Sequence, residues 1–252
     1  LLIIGLFKGG FLFRDESYAN PTCISAVIPT LNESESLVQC LESLKNRTAL
    51  NEIIVADGGS IDGTPTLAAK LGARVVESSK GRGLQIRKGV ESASGDVIVI
   101  LHADCAAKKG VFKRILKMLA SDPDIVGGAV GMQFERNNAK TKVIAFLNNL
   151  RTVLTGISFG DQAQFFRTEA LAATGGFPSM MLMEDVELSL RLKEIGRLVF
   201  FRKGIIVSGR RWLDNGFNGN LMTVFHLFPR YLIERRFCRG NTLKRNFYDI
   251  YY

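Results

Sequence analysis

The sequence predicts a single α/β domain with a mostly parallel central sheet flanked by helices. Three observations carry this expectation. Short β-branched runs alternate with segments of helical periodicity from Ile24 to Leu101. Polar or glycine-rich stretches follow these runs, as they do at the carboxyl edge of a parallel sheet, where ligands bind. The 252 residues, 46% of them hydrophobic, can bury roughly 70–75% of the unfolded surface, which excludes a disordered chain.

The elements follow in chain order. Residues 1–21 begin with LLIIGLFKGGFLF, in which Lys8 interrupts the apolar run. They show neither the leading charge nor the small-residue cleavage site of a signal peptide, and are set apart as a tag or upstream remnant. ISAVI (24–28) reads as the first strand and ends at Pro29. Asn32 or Ser34 can cap the next helix, where Leu37, Leu41 and Leu44 recur at helical spacing. EIIVA (52–56) is a second strand, followed by DGGSIDG and by a helix that Thr64 can cap with Pro65 in its first turn. ARVVE (73–77), a helix from about 83 to 94, and the apolar DVIVIL (96–101) complete the regular half. Beyond it, IVGGAVGMQF (125–134) reads as a strand and about 138–154 as a long helix. GDQAQFFR leads into a short helix and the turn GGFP. MLMEDVELSLRLKEIG then places Leu188, Leu192 and Ile195 on one helical stripe.

Charge and cysteine usage narrow the class. The net charge is +9, with 22 basic and 21 acidic side chains in residues 1–196 against 11 and 3 in residues 197–252. The excess is therefore a local patch in the last fifth of the chain. Its segment VFHLFPRYLIERRFCRG has two readings: an amphipathic surface for anionic lipid, or a helix packed on the core with its arginines solvated. Pro229 argues against one uninterrupted helix. Cys23, Cys40, Cys105 and Cys238 are scattered, and read as thiols in a reducing compartment rather than a zinc site or disulfide frame. No run of eighteen apolar residues is present to span a bilayer.

Candidate functional residues gather at the strand ends. Asn32 and Glu33 follow the first strand, Asp57 the second, and His102 and Asp104 the fourth. Such crowding of like charges is costly without a cation or donors between them. Asp104 suits Mg²⁺ or Mn²⁺, which take one or two carboxylates plus phosphate oxygens and water. His102, two residues earlier, suits a second ligand or a phosphate donor. In DGGSIDGT, Asp57 can accept from a base or ribose while exposed amides meet a phosphate. KGRGLQIRKG lacks the third glycine of a dinucleotide fingerprint, so a Rossmann dehydrogenase is rejected; Lys80 and Arg82 are candidates to counter diphosphate charge. Glu184 and Asp185 occupy the first turn of their helix. They satisfy either its dipole or the need for a general base at a cleft edge.

Taken as an ordered set, PTLNE, ADGGSIDGT, SGDVIVILHAD, FGDQAQFFR, GGFP with MEDVELSLRL, and SGRRW resemble family-two glycosyltransferases over about residues 22–212. The HAD and GDQAQFFR variants look most like a bacterial subgroup found beside radical-SAM and selenium-related proteins. The resemblance implies an A-type glycosyltransferase fold with a Rossmann-like nucleotide half (22–105) and an acceptor half (106–215), followed by a helical tail (216–252). It implies that Pro29, Glu33 and Asp57 hold the nucleoside, with His102 on the same side. Asp104 matches the last acid of the DxD metal motif, and Asp185 the catalytic base, with Glu184 beside it. Gln164, Arg211 and Trp212 fall on the acceptor or diphosphate side, with Ser208 in place of the glutamine of a QxxRW-like element. Three positions depart from the family pattern: His102 for the first acid of DxD, Gly58 for the second acid of a DD pair, and Leu31 for a tyrosine.

The function expected on this resemblance is metal-assisted, inverting transfer of a sugar from a nucleoside-diphosphate sugar to an acceptor hydroxyl. The cofactor is Mn²⁺ or Mg²⁺ and the first-choice donor a UDP-sugar. The acceptor is open, a lipid-linked one among the candidates. The location is cytoplasmic, with the tail as a contact to the inner face of the membrane. The rivals are a non-catalytic nucleotide-sugar module and a nucleotidyltransferase. No nucleic-acid-binding signature is present.

Overall fold

The computed structural model describes residues 18–45, 48–136, 138–209 and 228–236. Four strands form the regular half: β1 (Ile24–Thr30), β2 (Leu50–Asp57), β3 (Arg74–Glu77) and β4 (Val97–Ile100). They lie in the order β3-β2-β1-β4 and every pairing among them is parallel. All residues of β1 and β4 are buried, as expected of central parallel strands covered on both faces. Side chains alternate between two cores. Ile24, Ala26 and Ile28, with Val97 and Val99, face α1 (Ser34–Leu44) and α4 (Val111–Ser121). Val27, Ile98 and Ile100 face the opposite way, toward α3 (Arg82–Glu91) and the helix α7 (Glu184–Ile195).

The second half departs from the expected parallel arrangement. β7 (Gln164–Arg167) lies between β4 and β6 (Ile125–Phe134) and is antiparallel to both. β8 (Arg197–Val207) runs parallel to β6, and the short β5 (Cys105–Ala107) closes the eight-stranded sheet antiparallel to β8. The sheet is thus mixed, with its antiparallel pairings confined to the half beyond β4. β8 and α4 were not expected from the sequence. In β8 the apolar runs are split by Arg202, Lys203 and Gly204, where the β6–β8 register shifts.

Boundaries elsewhere agree closely. The predicted helix 138–154 is α5 (Ala139–Thr155), with Asn138 and Thr141 forming a capping box. The caps of the first two helices differ from expectation. Neither Asn32 nor Ser34 caps α1; Glu33 N donates to Thr64 Oγ1 (3.0 Å) and Ser34 N to Asp62 Oδ2 (3.0 Å). Thr64 is the first residue of α2 (Thr64–Lys70) rather than its cap, and donates its N–H to Asp62 Oδ1 (3.0 Å). One carboxylate thus serves two helix starts. The Thr64 hydroxyl, with the amides of Ser34 and Thr64, holds Asp62 far below the usual carboxylate range against a small opposing effect of burial.

At the N-terminal end the structure departs from expectation, while the described part of the tail follows the packed-helix reading with Arg235 ion-paired. Ala19 O accepts from Arg167 Nη1 (2.7 Å), and Arg167 lies 5.3 Å from the Tyr18 ring centroid. Residues 18 and 19, set apart from the sequence, therefore touch the domain. In the tail, the described helical stretch 228–236 packs on the core. Tyr231 is fully buried and donates to Glu187 Oε2 (2.5 Å), while Arg235 pairs with Glu187 (2.8 Å) and Glu194 (3.0 Å). Pro229 sits in its first described turn. The rest of the tail lies outside the described residues.

Burial alone would raise the Glu187 carboxyl, but bonds from Tyr231, Arg191 and Arg235 outweigh it and lower it. A depressed folded pKa stabilises fully above the unfolded carboxyl range and is lost as pH falls through the folded value. Glu187→Gln should cost about 2 kcal/mol near neutral pH, and the deficit should vanish in acid. Hydrogen exchange at residues 228–236, run across pH, checks both.

Candidate active site

The carboxyl ends of β1, β2 and β4 carry Pro29–Thr30, Asp57 and the His102–Asp104 segment, with Thr30 in register with Asp57. Asp57 is buried and its four lone-pair directions are occupied. Oδ1 accepts from Thr30 Oγ1 (3.0 Å) and Ser60 Oγ (2.5 Å); Oδ2 accepts from the amides of Gly59 (3.0 Å) and Ser60 (2.8 Å). Its work in this structure is to shape the DGGS loop. Asn32 closes the same loop from β1: its N–H donates to Ser60 Oγ (2.8 Å) and its Oδ1 accepts from Ile61 N (2.9 Å). Glu33 is half-buried beside it, Pro29 is buried within β1, and Lys80 is exposed.

At Gly58 a side chain would crowd the Gln85 amide. A Cβ there would lie 2.9 Å from the Gln85 amide carbon. Gln85, buried on α3, donates to the carbonyls of Thr30 and Ala56 and so ties α3 to the ends of β1 and β2.

The starts of α3 and α7 bring the two halves together. Gly83 allows α3 to approach the chain before α7, because a Cβ at 83 would collide with the Met180 carbonyl. Arg82 then reaches Glu184 Oε1 at 2.6 Å and Asp185 Oδ2 at 3.4 Å. Asp185 Oδ2 also accepts from Gly160 N (2.8 Å), and a Cβ on Gly160 would sit 2.5 Å from His102 Nε2. Arg82, Asp185, Gly160 and His102 therefore form one contiguous set, and Asp104 follows His102 by two residues. Among the described residues the Asp104 carboxylate receives only the weak Cys105 thiol, at 3.7 Å. Its carbonyl accepts from Ser208 N (3.1 Å), which brings the start of SGRRW to the same place. Arg211 and Trp212 lie outside the described residues.

Glu184 and Asp185 differ although adjacent. Glu184 is 1% exposed, and its Oε2 is buried without a hydrogen bond among the described residues. Burial pushes its carboxyl up, partly opposed by Arg82 and reinforced by the charge of Asp185. Gln164, expected on the acceptor or diphosphate side, is buried; its Nε2 donates to Ser158 Oγ (2.8 Å), Asp185 O (2.9 Å) and Ser189 Oγ (3.1 Å). It braces the start of α7 rather than facing the cleft.

Two residues were not singled out from the sequence. Asp161, in the 3-10 turn Gly160–Gln162, accepts from Asn148 Nδ2 (2.9 Å), while its Oδ1 is buried without a partner among the described residues. Burial raises its carboxyl. Arg151 and Asn148 oppose the rise, and the charges of Asp185 and Asp104 add to it. Arg151 stacks 3.4 Å from the Phe159 ring centroid and donates to Ile157 O (2.9 Å) and Asn148 Oδ1 (2.7 Å); burial lowers its pKa to about 10 against the pull of Asp161 and Asp185. The FGDQAQFFR string contained Asp161, but nothing in it marked this carboxylate from other loop acids. Among the described residues three non-glycine positions adopt left-handed backbone: Asn32 (φ 55°) beside the DGGS loop, Ala163 (φ 34°) after the 3-10 turn and Met183 (φ 66°) before α7.

The donor set fits a hard divalent cation held jointly with a diphosphate. The Asp104 carboxylate is nearly unengaged, the Asp161 Oδ1 is orphaned, and the charges of Asp104 and Asp185 act on Asp161. Among the described residues no group of three or more His, Cys, Asp or Glu side chains is placed to hold a metal ion by itself, so the ligand's oxygens would have to complete the site. Removing the Arg82 guanidinium would leave Glu184 and Asp185 facing each other unpaired. Arg82→Met should destabilise the fold by roughly 3 kcal/mol. A raised folded pKa costs stability as pH climbs out of the unfolded carboxyl range, so the deficit should be larger at about pH 8 than at about pH 5. Urea unfolding midpoints at the two pH values test this, and equal deficits would show that Arg82 is not the counter-charge.

Comparison with known proteins gives concordant results. Residues 25–186 match the family model described as Glycosyl transferase family 2. Glycosyltransferase AglE of Haloferax volcanii is 24% identical over 199 residues, covering 73% of this chain and 65% of the relative. The dolichol-phosphate mannosyltransferase of Pyrococcus furiosus is 32% identical over 114 residues, covering 42% of this chain and 32% of the relative. The chain thus spans less than two thirds of the length of these relatives. Among solved structures, S. aureus TarS 1–349 superposes with a TM-score of 0.58 at 15% identity, covering 80% of this chain and 64% of that one. Glucosyl-3-phosphoglycerate synthase from Mycobacterium tuberculosis, with Mn²⁺, UDP and phosphoglyceric acid, gives 0.52 at 22% identity, covering 75% and 72%. These likenesses establish the shared fold, the A-type glycosyltransferase architecture.

Proposed function

The chain belongs to glycosyl transferase family 2, and from that premise we propose that it transfers a sugar, with inversion, from a nucleoside-diphosphate sugar to an acceptor hydroxyl. The observation that carries the proposal is the gathering of Arg82, Glu184, Asp185, Gly160 and His102 around the chain that bears Asp104. A uridine donor is supported by the TarS structures with UDP and UDP-GlcNAc and by the mycobacterial synthase with UDP. The HAD and GDQAQFFR strings support the bacterial radical-SAM-associated subgroup.

Asp185 is the general base. It takes the proton of the acceptor hydroxyl as that oxygen bonds to the anomeric carbon, and the bond from that carbon to the diphosphate breaks on the opposite side. Gly160 N and Arg82 hold the Asp185 carboxylate in place. Glu184, its carboxyl raised by burial and drawn back by Arg82, is the second acid that this guanidinium holds. Asp104, with Asp161 and His102 beside it, would hold a divalent cation. Such a cation, Mn²⁺ or Mg²⁺, would neutralise charge developing on the departing diphosphate. Lys80, exposed two residues before Arg82, supplies further positive charge on that side. Asp57 acts by ordering the DGGS loop, whose backbone lies where the nucleoside binds. Arg211 and Trp212 remain assigned to the acceptor side by resemblance, and the acceptor stays open, a lipid-linked one among the candidates.

Asp185→Asn should lower turnover by about 10²–10⁴-fold with UDP affinity retained. Asp104→Ala should weaken Mn²⁺-dependent UDP binding measured by calorimetry. A panel of nucleoside-diphosphate sugars supplies the turnover assay. Equal loss of binding and turnover in Asp185→Asn would overturn the base assignment. Binding without turnover across the panel would instead identify a non-catalytic module, and release of pyrophosphate from a nucleoside triphosphate would identify a nucleotidyltransferase.

A further inference from the structure

The outward face of α5 has no partner among the described residues. Val143, Phe146, Leu147, Leu150 and Leu154 recur at i, i+3, i+4, i+7 and i+11, and are between 37% and 62% exposed. They are five of the eight large apolar side chains exposed among the described residues. An ordinary soluble surface scatters such residues singly, so a stripe of this length marks an interaction surface.

The charge beside the stripe says what it meets. A cleft of about 750 Å³ runs along α5, with Phe146 and Leu150 on its wall together with Arg114, Lys142, Arg202 and Lys203. Among the described residues no carboxylate lines it, and α5 itself contains neither Asp nor Glu. The bulge that splits β8 is what brings Arg202 and Lys203 to this cleft. Lys140 and Lys142 add exposed cations at the start of the helix.

We propose that this face docks on an anionic lipid bilayer, with the α5 stripe entering the boundary of headgroups and acyl chains and the flanking cations meeting lipid phosphates. A surface that joins an apolar stripe to cations suits such a bilayer on both counts. A second copy of the chain would set the same cations against each other, which the complete lack of acids on α5 leaves uncompensated. The docking is interfacial, since among the described residues no helix is long and apolar enough to cross a membrane. The surface is distinct from the C-terminal segment whose stretch 228–236 is engaged with Glu187 and Glu194. It stands apart from the sugar-transfer reading and does not depend on it. The opposite side of α5 nevertheless reaches the active-site turn: Asn148 Nδ2 donates to Asp161, and Thr152 Oγ1 to Gln162 Oε1 (2.6 Å).

Flotation of the full chain with phosphatidylcholine vesicles, with and without phosphatidylglycerol, tests the proposal. Binding should require phosphatidylglycerol and weaken with salt. The pair Phe146→Glu with Leu150→Glu should lower it at least about tenfold, and Lys142→Glu with Lys203→Glu should abolish the preference for anionic vesicles. All four side chains are at the surface of the helix or cleft, so melting temperatures should match wild type; Leu154→Glu alone, at the most exposed position, should reproduce a smaller loss. Three results would overturn the proposal: no vesicle binding by the wild type, undiminished binding by the Phe146/Leu150 pair, or a wild-type dimer that light scattering shows to dissociate in that pair.

Discussion

Everything at the site depends on how two carboxylates are kept beside one another at the start of α7. Glu184 and Asp185 are both buried, and among the described residues the only cation paired with them is Arg82 from the opposite half of the fold. Coulomb repulsion between such neighbours is relieved in two ways: a counter-ion, or neutralisation of one partner. Arg82 supplies the first, while burial moves Glu184 toward the second. The pair also explains the backbone around it. Arg82 can reach α7 because Gly83 lets α3 touch the chain before that helix, and α7 is held at depth by Gln164 from β7. A polar contact of this kind is weak evidence for stability in its own right. Its physical role is to join the halves in one relative orientation.

The loops after β1 and β2 show the complementary arrangement, in which polar groups satisfy one another. Asp57 takes four donors, Asp62 serves the starts of α1 and α2, and Gln85 fastens the ends of β1 and β2. These residues fix loop shape, and a loop so held has little freedom left to lose when it meets a ligand. Elsewhere single oxygens carry no bond among the described residues: Asp161 Oδ1 and Glu184 Oε2 are buried without a donor, and Asp104 receives only a weak thiol.

Much of this was legible in the sequence, for identifiable reasons. β1 and β4 are unbroken apolar runs because both faces of the sheet are covered, and their bounds could be read to within a residue or two. The helix α7 announced itself by its leucine stripe and its leading acids. The antiparallel insertion of β7 did not, since periodicity reports burial and says nothing of strand direction. β8 was hidden by Arg202 and Lys203, which interrupt its pattern because a bulge turns them outward. Asp57 shows the limit for site residues. Its type and place suggested a ligand contact, while its actual bonds depend on the rotamers of Thr30 and Ser60, which no spacing rule encodes. Asp161 was missed for the same reason in reverse: only tertiary structure shows that one of its oxygens is buried without a donor.

The left-handed backbone at Met183 bears on how this protein would respond to laboratory evolution. A side chain held at φ 66° costs on the order of 1–3 kcal/mol. Here Met183 is anchored among Ile157, Leu182, Val186 and Tyr231. Glycine at that position would relieve the torsional penalty but remove the thioether that wedges the first turn of α7. Deleting a buried methionine costs about 2–5 kcal/mol, more than the torsion it would relieve, so selection for heat resistance would keep this side chain in spite of its strained backbone.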